Sequence, residues 1–396
     1  MRALRIAFIT PGFVTEGNTA SGLGNYINKM TQALLAAGHV PEIFVCSFEE
    51  SGPISHRGVC VHRVYPKLPS GWKRWFQEVP AVQVIGQLRQ IGRIRSQMAT
   101  LAAAFDARDR DAPFDMVQSP DWEGAGSEIL PRPGRPHLVR CSVMAELNAV
   151  HEQASPPVFP TWQARYELHA VERAEIAYAP SQFAADYYQR RLHRPVQVVR
   201  PPALIEIPRD EVPVPGLPEK YFLHFGKLNP SKGTLWLAEA LPAAWKEEPE
   251  LKIVVAGQIH NIDTDALKRR WGARSANVLF LGWLPKPQLY TVLRGALASL
   301  VPSIIDNLPN TAIESLLFGI PVIGTRGASI DELVADGVTG ELAPVHDVTR
   351  LAEAMVRVWT GRSPARRGFK WESPVADQMR PEQAVQNLLT LAGLKA

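Results

Sequence analysis

Two lysines, Lys227 and Lys232, stand between a strand-like run and a helix-like one: Phe225-Gly226-Lys227-Leu228-Asn229-Pro230-Ser231-Lys232-Gly233, then Thr234-Leu235-Trp236. A helix N-terminus offers unsatisfied N–H groups and partial positive charge, and lysines add full charges, so the loop suits a phosphate-like anion. The spacing is not that of a P-loop, because no Gly-Lys-Ser/Thr follows where it is required. A solvated lysine pair on a turn would use the same residues. A second constellation runs Ser303-Ile304-Ile305-Asp306-Asn307-Leu308-Pro309-Asn310-Thr311-Ala312-Ile313-Glu314 and closes at Phe318-Gly319-Ile320-Pro321. Here Asp306 lies in a polar loop, and Asn310 is placed to cap a short helix with Glu314 in its first turn. One carboxylate in the loop and one on the helix could grip different parts of one ligand, with N–H groups aimed at a phosphate between them. An Asx turn plus a helix-start glutamate also accounts for the pattern. A third loop, Glu16-Gly17-Asn18-Thr19-Ala20-Ser21-Gly22-Leu23-Gly24-Asn25, lets a ligand approach backbone at a helix start. As a dinucleotide fingerprint it is poor: Ile27 stands where the third glycine belongs, and no convincing acidic partner follows about twenty residues on.

Elements of alternating type must position these loops. Short β-rich runs are expected at 4–10, 42–46, 114–118, 137–141, 176–179 and 196–200, with a helix at 25–37 ending on Gly38. A proline-dense connector follows, and the alternation restarts with runs at 221–225, 251–256, 278–281, 298–301 and 321–324. The expected fold class is α/β, with two Rossmann-like, doubly wound parallel-sheet domains facing a central cleft. The expected boundaries are 1–200 for an N-terminal Rossmann-like domain, 201–219 for the linker, 220–375 for a C-terminal Rossmann-like domain, and 376–396 for a C-terminal helix packing back on the N-terminal domain. A length of 396 residues fits two cores. The charge of +4 does not argue for nucleic acid. Cys46, Cys60 and Cys141 show no metal or redox spacing and read as reduced thiols. No run reaches membrane-spanning length, so a cytoplasmic protein is expected, with peripheral contact at the inner face of a membrane.

In chain order these loops resemble the retaining glycosyltransferases of family 4, which have the GT-B fold. Ser21-Gly22-Leu23-Gly24 and Gly38-His39-Val40 are similar to the family's glycine loop and following helix end, and Ala179-Pro180-Ser181 to the segment before the linker. Gly226-Lys227 through Lys232-Gly233 is similar to the Gly-Arg…Lys-Gly loop, and Asp306 to Glu314 has the spacing of the Glu-x7-Glu motif. Glu332, Asp336-Gly337 and Thr339-Gly340 continue the likeness. The resemblance implies a nucleotide-sugar donor and neither a metal nor another cofactor. By the same likeness, Lys227 and Lys232 would meet the donor diphosphate as catalytic groups, Glu314 the ribose, and Asp306 the sugar. Gly226, Asn307, Leu308, Asn310 and Thr311 would line the donor, Trp283 would meet the base beside Gly282, and Gly22 and Leu23 would close on the diphosphate. Four departures stand out: Lys227 for arginine, Asp306 for glutamate, Pro309 for glycine, and Ser142 where many members carry a histidine facing the sugar.

For the acceptor, Asp121-Trp122-Glu123 follows an expected strand end and could form a sugar platform, near Ser142. The segment Trp72-Lys73-Arg74-Trp75-Phe76 precedes an expected amphipathic helix with a stripe of Ile85, Leu88, Ile91, Ile94, Met98 and Leu101, and with Arg89, Arg93 and Arg95 off it. Such a surface suits a carbohydrate or lipid-linked acceptor at a membrane, or simply a helix packing its stripe inward. A nucleotide-sugar epimerase and a non-catalytic nucleotide-sugar-binding subunit are the alternative functions.

Overall fold

The structure, a computed structural model, describes residues 2–17, 22–66, 80–144, 146–147, 162–206 and 212–394, leaving aside the side chains of 80–87 and 162. The chain divides into two compact units. The first comprises Met1–Glu146, Pro157–Leu204 and Asp377–Ala396, and the second is built chiefly from Ile205–Ala376.

In the first unit, β1 (Arg5–Thr10), β2 (Val40–Cys46), β3 (Gly52–His56), β4 (Val59–Val64), β5 (Met116–Pro120), β6 (His137–Arg140), β7 (Ile176–Ala179) and β8 (Gln197–Val198) form one sheet. Its order is β3-β4-β2-β1-β5-β6-β7-β8. Only β3 runs antiparallel to its neighbour, β4. The chain winds outward from β1 on both sides, so the sheet reverses between β1 and β5. Loops leaving the carboxyl ends of those two strands therefore face a crevice, where ligands bind in such sheets. The helix Gly22–Ala36 starts three residues earlier than the periodicity predicts, and Gly38 ends it at φ 84°. The helix Pro381–Leu391 belongs to the same unit: Ala384, Val385, Leu388 and Leu389 join Ile27, Met30 and Leu34 in one buried cluster.

In the second unit, β9 (Phe222–Leu228), β10 (Ile253–Ile259), β11 (Val278–Gly282), β12 (Ala298–Val301), β13 (Val322–Arg326) and β14 (Gly340–Pro344) form an all-parallel sheet of order β11-β10-β9-β12-β13-β14. Residues Phe222 to Phe225 are buried on both faces, which is why β9 reads as an unbroken run. The reversal here lies between β9 and β12, so the loops after these two strands share a crevice. Those are the lysine loop and the Asp306 loop.

Sequence periodicity missed β3, β4 and β14. The first two are half-exposed and alternate without an apolar run, and the third opens on Gly340, ends on Pro344 and carries Glu341. Cys46 and Cys141 are buried free thiols, and Cys60 is a half-buried one. Among the described residues, no helix is long and apolar enough to cross a membrane.

Candidate functional site

The lysine loop is built from its asparagine outward. Asn229, itself buried, caps the turn Pro230–Lys232: its Oδ1 accepts the Lys232 N–H at 3.0 Å and the Ser231 hydroxyl at 3.0 Å. The Ser231 carbonyl then accepts N–H groups from Ile304 at 2.9 Å and Ile305 at 3.3 Å, clipping this turn to the loop after β12. Contact is so close that a Cβ on Gly233 would lie 1.8 Å from the Pro302 carbonyl oxygen, and Gly233 has φ +72°. Only glycine fits there.

The clip delivers Lys232 to Asp306, with Nζ 2.8 Å from Oδ2. The same carboxylate accepts the Ser303 hydroxyl at 3.0 Å and the Asn307 N–H at 2.9 Å. Asp306 is 8% exposed at its side chain and Lys232 34%, so the pair presents the ammonium and withholds the carboxylate. Lys227 is exposed near the end of β9, and among the described residues no carboxylate forms an ion pair with it.

Beyond Asp306 the chain turns at Leu308, which has φ +65° and donates its N–H to Ser329 Oγ at 2.8 Å. That turn leaves Pro309 extended at the N-cap of the helix Asn310–Leu317. Two expectations are corrected here. Asn310 is the first helical residue rather than the cap, and Glu314 sits in the second turn rather than the first. The physical reason is that Ser303 and Ser329 fix the preceding turn, so the helix needs no asparagine cap to start. Thr311 touches the lysine loop, since a Cβ on Gly226 would lie 3.0 Å from its Cγ2.

Glu314 is buried, receives the Tyr290 hydroxyl at 3.4 Å, and lies 3.6 Å from Lys286 Nζ. Burial and the adjacent carboxylate push the Tyr290 phenol above its usual range. Neither Lys286 nor Tyr290 was singled out from the sequence. Their signal is an i, i+4 pair on the helix Lys286–Gly295, directly after Gly282-Trp283. Trp283 is 59% exposed, as a surface for a planar ring would be.

His224 holds the frame beneath. Its Nδ1 donates to the Leu300 carbonyl at 2.8 Å on β12, and its Nε2 accepts from the Thr234 hydroxyl at 2.9 Å, at the start of the helix Thr234–Glu247. Burial lowers its pKa to about 4. The unfolded chain binds a proton near 6.5, so stability is complete above that value and falls as pH drops toward 4, by ~3 kcal/mol for this one group. Denaturant titrations of wild type and His224→Leu at pH 7 and pH 4.5 read this directly. The variant is expected to lose less stability on acidification, and equal losses would refute the assignment.

In the first unit, Gly22 and Leu23 open the helix Gly22–Ala36, while Ser21 lies outside the described residues. Asp121 is not the outward carboxylate of a sugar platform. It is 1% exposed and accepts the Ser142 and Val143 N–H groups at 2.8 and 3.0 Å, the Ser142 hydroxyl at 3.1 Å, and the Tyr188 phenol. Its role is to hold the loop after β6, and Ser142 is its partner. Trp122 packs half-buried against the core. Glu123, at φ 54°, donates its N–H to Glu167, whose carboxyl burial raises to about 7. The helix Pro80–Asp111 buries Ile94, Met98 and Leu101 and exposes Leu88, Arg89, Arg93 and Arg95, as an inward-packing helix does. Trp72, Lys73, Arg74, Trp75, Phe76 and the side chain of Ile85 lie outside the described residues.

Among the described residues one group has metal-ligand chemistry: Glu42, Cys60 and His62. Glu42 is already saturated by Arg5, Arg108 and His62. Burial opposes its charge, but these bonds outweigh it and hold the carboxyl at about 2. Two guanidiniums on the one carboxylate make this an ion-pair cluster.

The second unit thus offers a lysine-lined α/β crevice with a buried carboxylate beside it. Residues 219–360 match the sequence family described as Glycosyl transferases group 1. The match lies within the second unit, and the chain's two parallel-sheet units have the GT-B fold. It is 25% identical over 361 residues to a D-inositol 3-phosphate glycosyltransferase of Paenarthrobacter aurescens, covering 85% of this chain and 84% of that one. The first two curated relatives are matched over only 40% and 39% of their own length. Sucrose-phosphate synthase from Thermosynechococcus elongatus superposes with a TM-score of 0.69 at 18% identity, covering 99% of this chain and 96% of that one. HepE of Anabaena, solved in complex with UDP, gives 0.66 at 16% identity, covering 99% and 100%.

Proposed function

We propose that this chain transfers a sugar, with retention of configuration, from a UDP- or GDP-sugar to a carbohydrate or lipid-linked acceptor. The observation that carries the reading is the Lys232–Asp306 pair, held at the β9/β12 reversal by the Ser231 clip. In such a transfer the bond from the sugar to the diphosphate breaks and the acceptor oxygen takes its place. Charge then grows on the leaving diphosphate, so a fixed ammonium beside it acts more strongly in the transition state than before it. Lys227 adds a second cation. Glu314 has the burial and position to accept ribose hydroxyls. Retention is supported by the likeness of the Asp306–Glu314 spacing to family 4, and the UDP complex of HepE favours a uridine donor among the candidates.

Acceptor-dependent release of nucleoside diphosphate, with the product anomer read by NMR, tests the proposal. Release that is independent of every acceptor, or an inverted product, would count against it. Lysines and helix N-termini supply the positive charge that a divalent ion would otherwise bring, so turnover is expected to survive chelation. Activity lost in EDTA and restored by magnesium or manganese would reverse that expectation. The exposed Arg89, Arg93 and Arg95 would serve an anionic acceptor surface under this reading.

A further inference from the structure

Arg140, the last residue of β6, is 6% exposed and has no carboxylate partner among the described residues. Its Nε is fully buried without an acceptor. The guanidinium lies over the Tyr26 ring, 4.0 Å from the centroid. Tyr26 stands in the second turn of the helix Gly22–Ala36, so the cation sits beside the positive end of that helix. The Tyr26 hydroxyl is bonded to Gln118 Oε1 at 2.8 Å and to the Tyr178 hydroxyl at 2.9 Å. Gln118 brings a second buried donor, Nε2, that also lacks an acceptor. The buried carboxylate of Asp121, next along the sheet, is filled by Ser142, Val143 and Tyr188. Among the described residues the cluster therefore carries an uncompensated positive charge and surplus donors. Burying a charge unpaired is strongly unfavourable, and one aromatic face offsets only part of that cost.

We propose that Arg140, beside the N-terminus of the helix Gly22–Ala36, binds the phosphoryl group of a substrate in the first unit. The inference deepens the glycosyltransferase reading and rests on it for the source of that group. The source is either the donor's diphosphate or a phosphate on the accepting sugar. Guanidinium suits both, because it is always charged and presents paired donors to phosphate oxygens.

Titration calorimetry on the full chain separates the sources. One arm uses UDP with uridine as its control. The other uses D-inositol 3-phosphate and glucose 6-phosphate with inositol and glucose as controls. Arg140→Met is expected to weaken one phosphorylated arm by about 10–100-fold and leave the controls unchanged, with Arg140→Lys losing less. Loss in the UDP arm assigns the donor, and loss in the sugar-phosphate arm assigns the acceptor. Unchanged affinity in both arms overturns the proposal, as does wild-type protein that binds none of these phosphates. A ligand-free melt gives a second readout: Arg140→Met should melt higher than wild type, since it removes an unpaired buried charge. A lower melting temperature with unchanged affinity means Arg140 is a packing residue. Should Arg140→Met fail to fold, the affinities of Arg140→Lys and Arg140→Gln decide. If UDP does not bind wild type while inorganic phosphate binds in an Arg140-dependent way, the glycosyltransferase reading falls and the Arg140 site stands.

Discussion

Lys232→Ala is expected to lower kcat by about two to three orders of magnitude, the scale on which removal of one preorganised donor acts. The structure explains why the loss should fall on turnover more than on affinity. Lys232 arrives already oriented, by Asn229 beneath its backbone and Asp306 at its ammonium. Asp306 retains Ser303 and the Asn307 N–H when the lysine is gone, so the loop should keep its shape. Binding of the ground-state donor would lose one partly exposed charge, whereas the departing diphosphate would lose a cation placed for it. Steady-state kinetics with a saturating acceptor read the split between kcat and KM. A kcat within threefold of wild type would show Lys232 to be a surface charge. Lys227→Ala should shift kcat in the same direction, but less, because Lys227 lacks such a brace.

Glu314 and Asp306 should separate cleanly when bare nucleotide is used. Glu314→Ala is expected to weaken nucleoside diphosphate binding by about ten- to a hundredfold, since a buried charged acceptor bonded to hydroxyls contributes roughly 1.5–3 kcal/mol. It would also leave Lys286 and Tyr290 without their carboxylate. Asp306→Asn acts otherwise. Its carboxylate neutralises Lys232, so the amide leaves bare diphosphate affinity equal to wild type or tighter while turnover falls. Calorimetry with nucleotide alone, set beside kinetics with full donor, measures both. Equal weakening of bare nucleotide by the two substitutions would show the roles to be assigned wrongly.

The loops that carry this chemistry were legible because each follows a strand buried on both faces, and such strands print themselves as apolar runs. Val301 closing one run and Phe225 ending another located the two polar loops without any knowledge of their contact. What periodicity does not encode is which loops meet. The pairing of Lys232 with Asp306 depends on β12 crossing to the far side of β9, a matter of sheet order. Lys286 escaped notice for the same reason, since its approach to Glu314 spans helices that are separate in sequence. Asp121 misled in the opposite direction: an acidic-aromatic tripeptide after a strand looks solvent-facing, yet four donors from Ser142, Val143 and Tyr188 bury it. Gly52–His56 and Val59–Val64 hid because a half-exposed hairpin at a sheet edge alternates too weakly to stand out.

The return of the helix Pro381–Leu391 to the first unit sets an order of events during synthesis. The ribosome delivers Ile27, Met30 and Leu34 before Ile205–Ala376, and their partners Val385, Leu388 and Leu389 after it. Between them the whole of Ile205–Ala376 must be translated, which at ordinary elongation rates takes roughly ten seconds or more. During that interval the second unit can complete itself, while the first waits with an apolar seam along the helix Gly22–Ala36. The nascent chain is therefore exposed to aggregation and to chaperones along that helix. A message truncated before Pro381 would leave that seam open for the lifetime of the product.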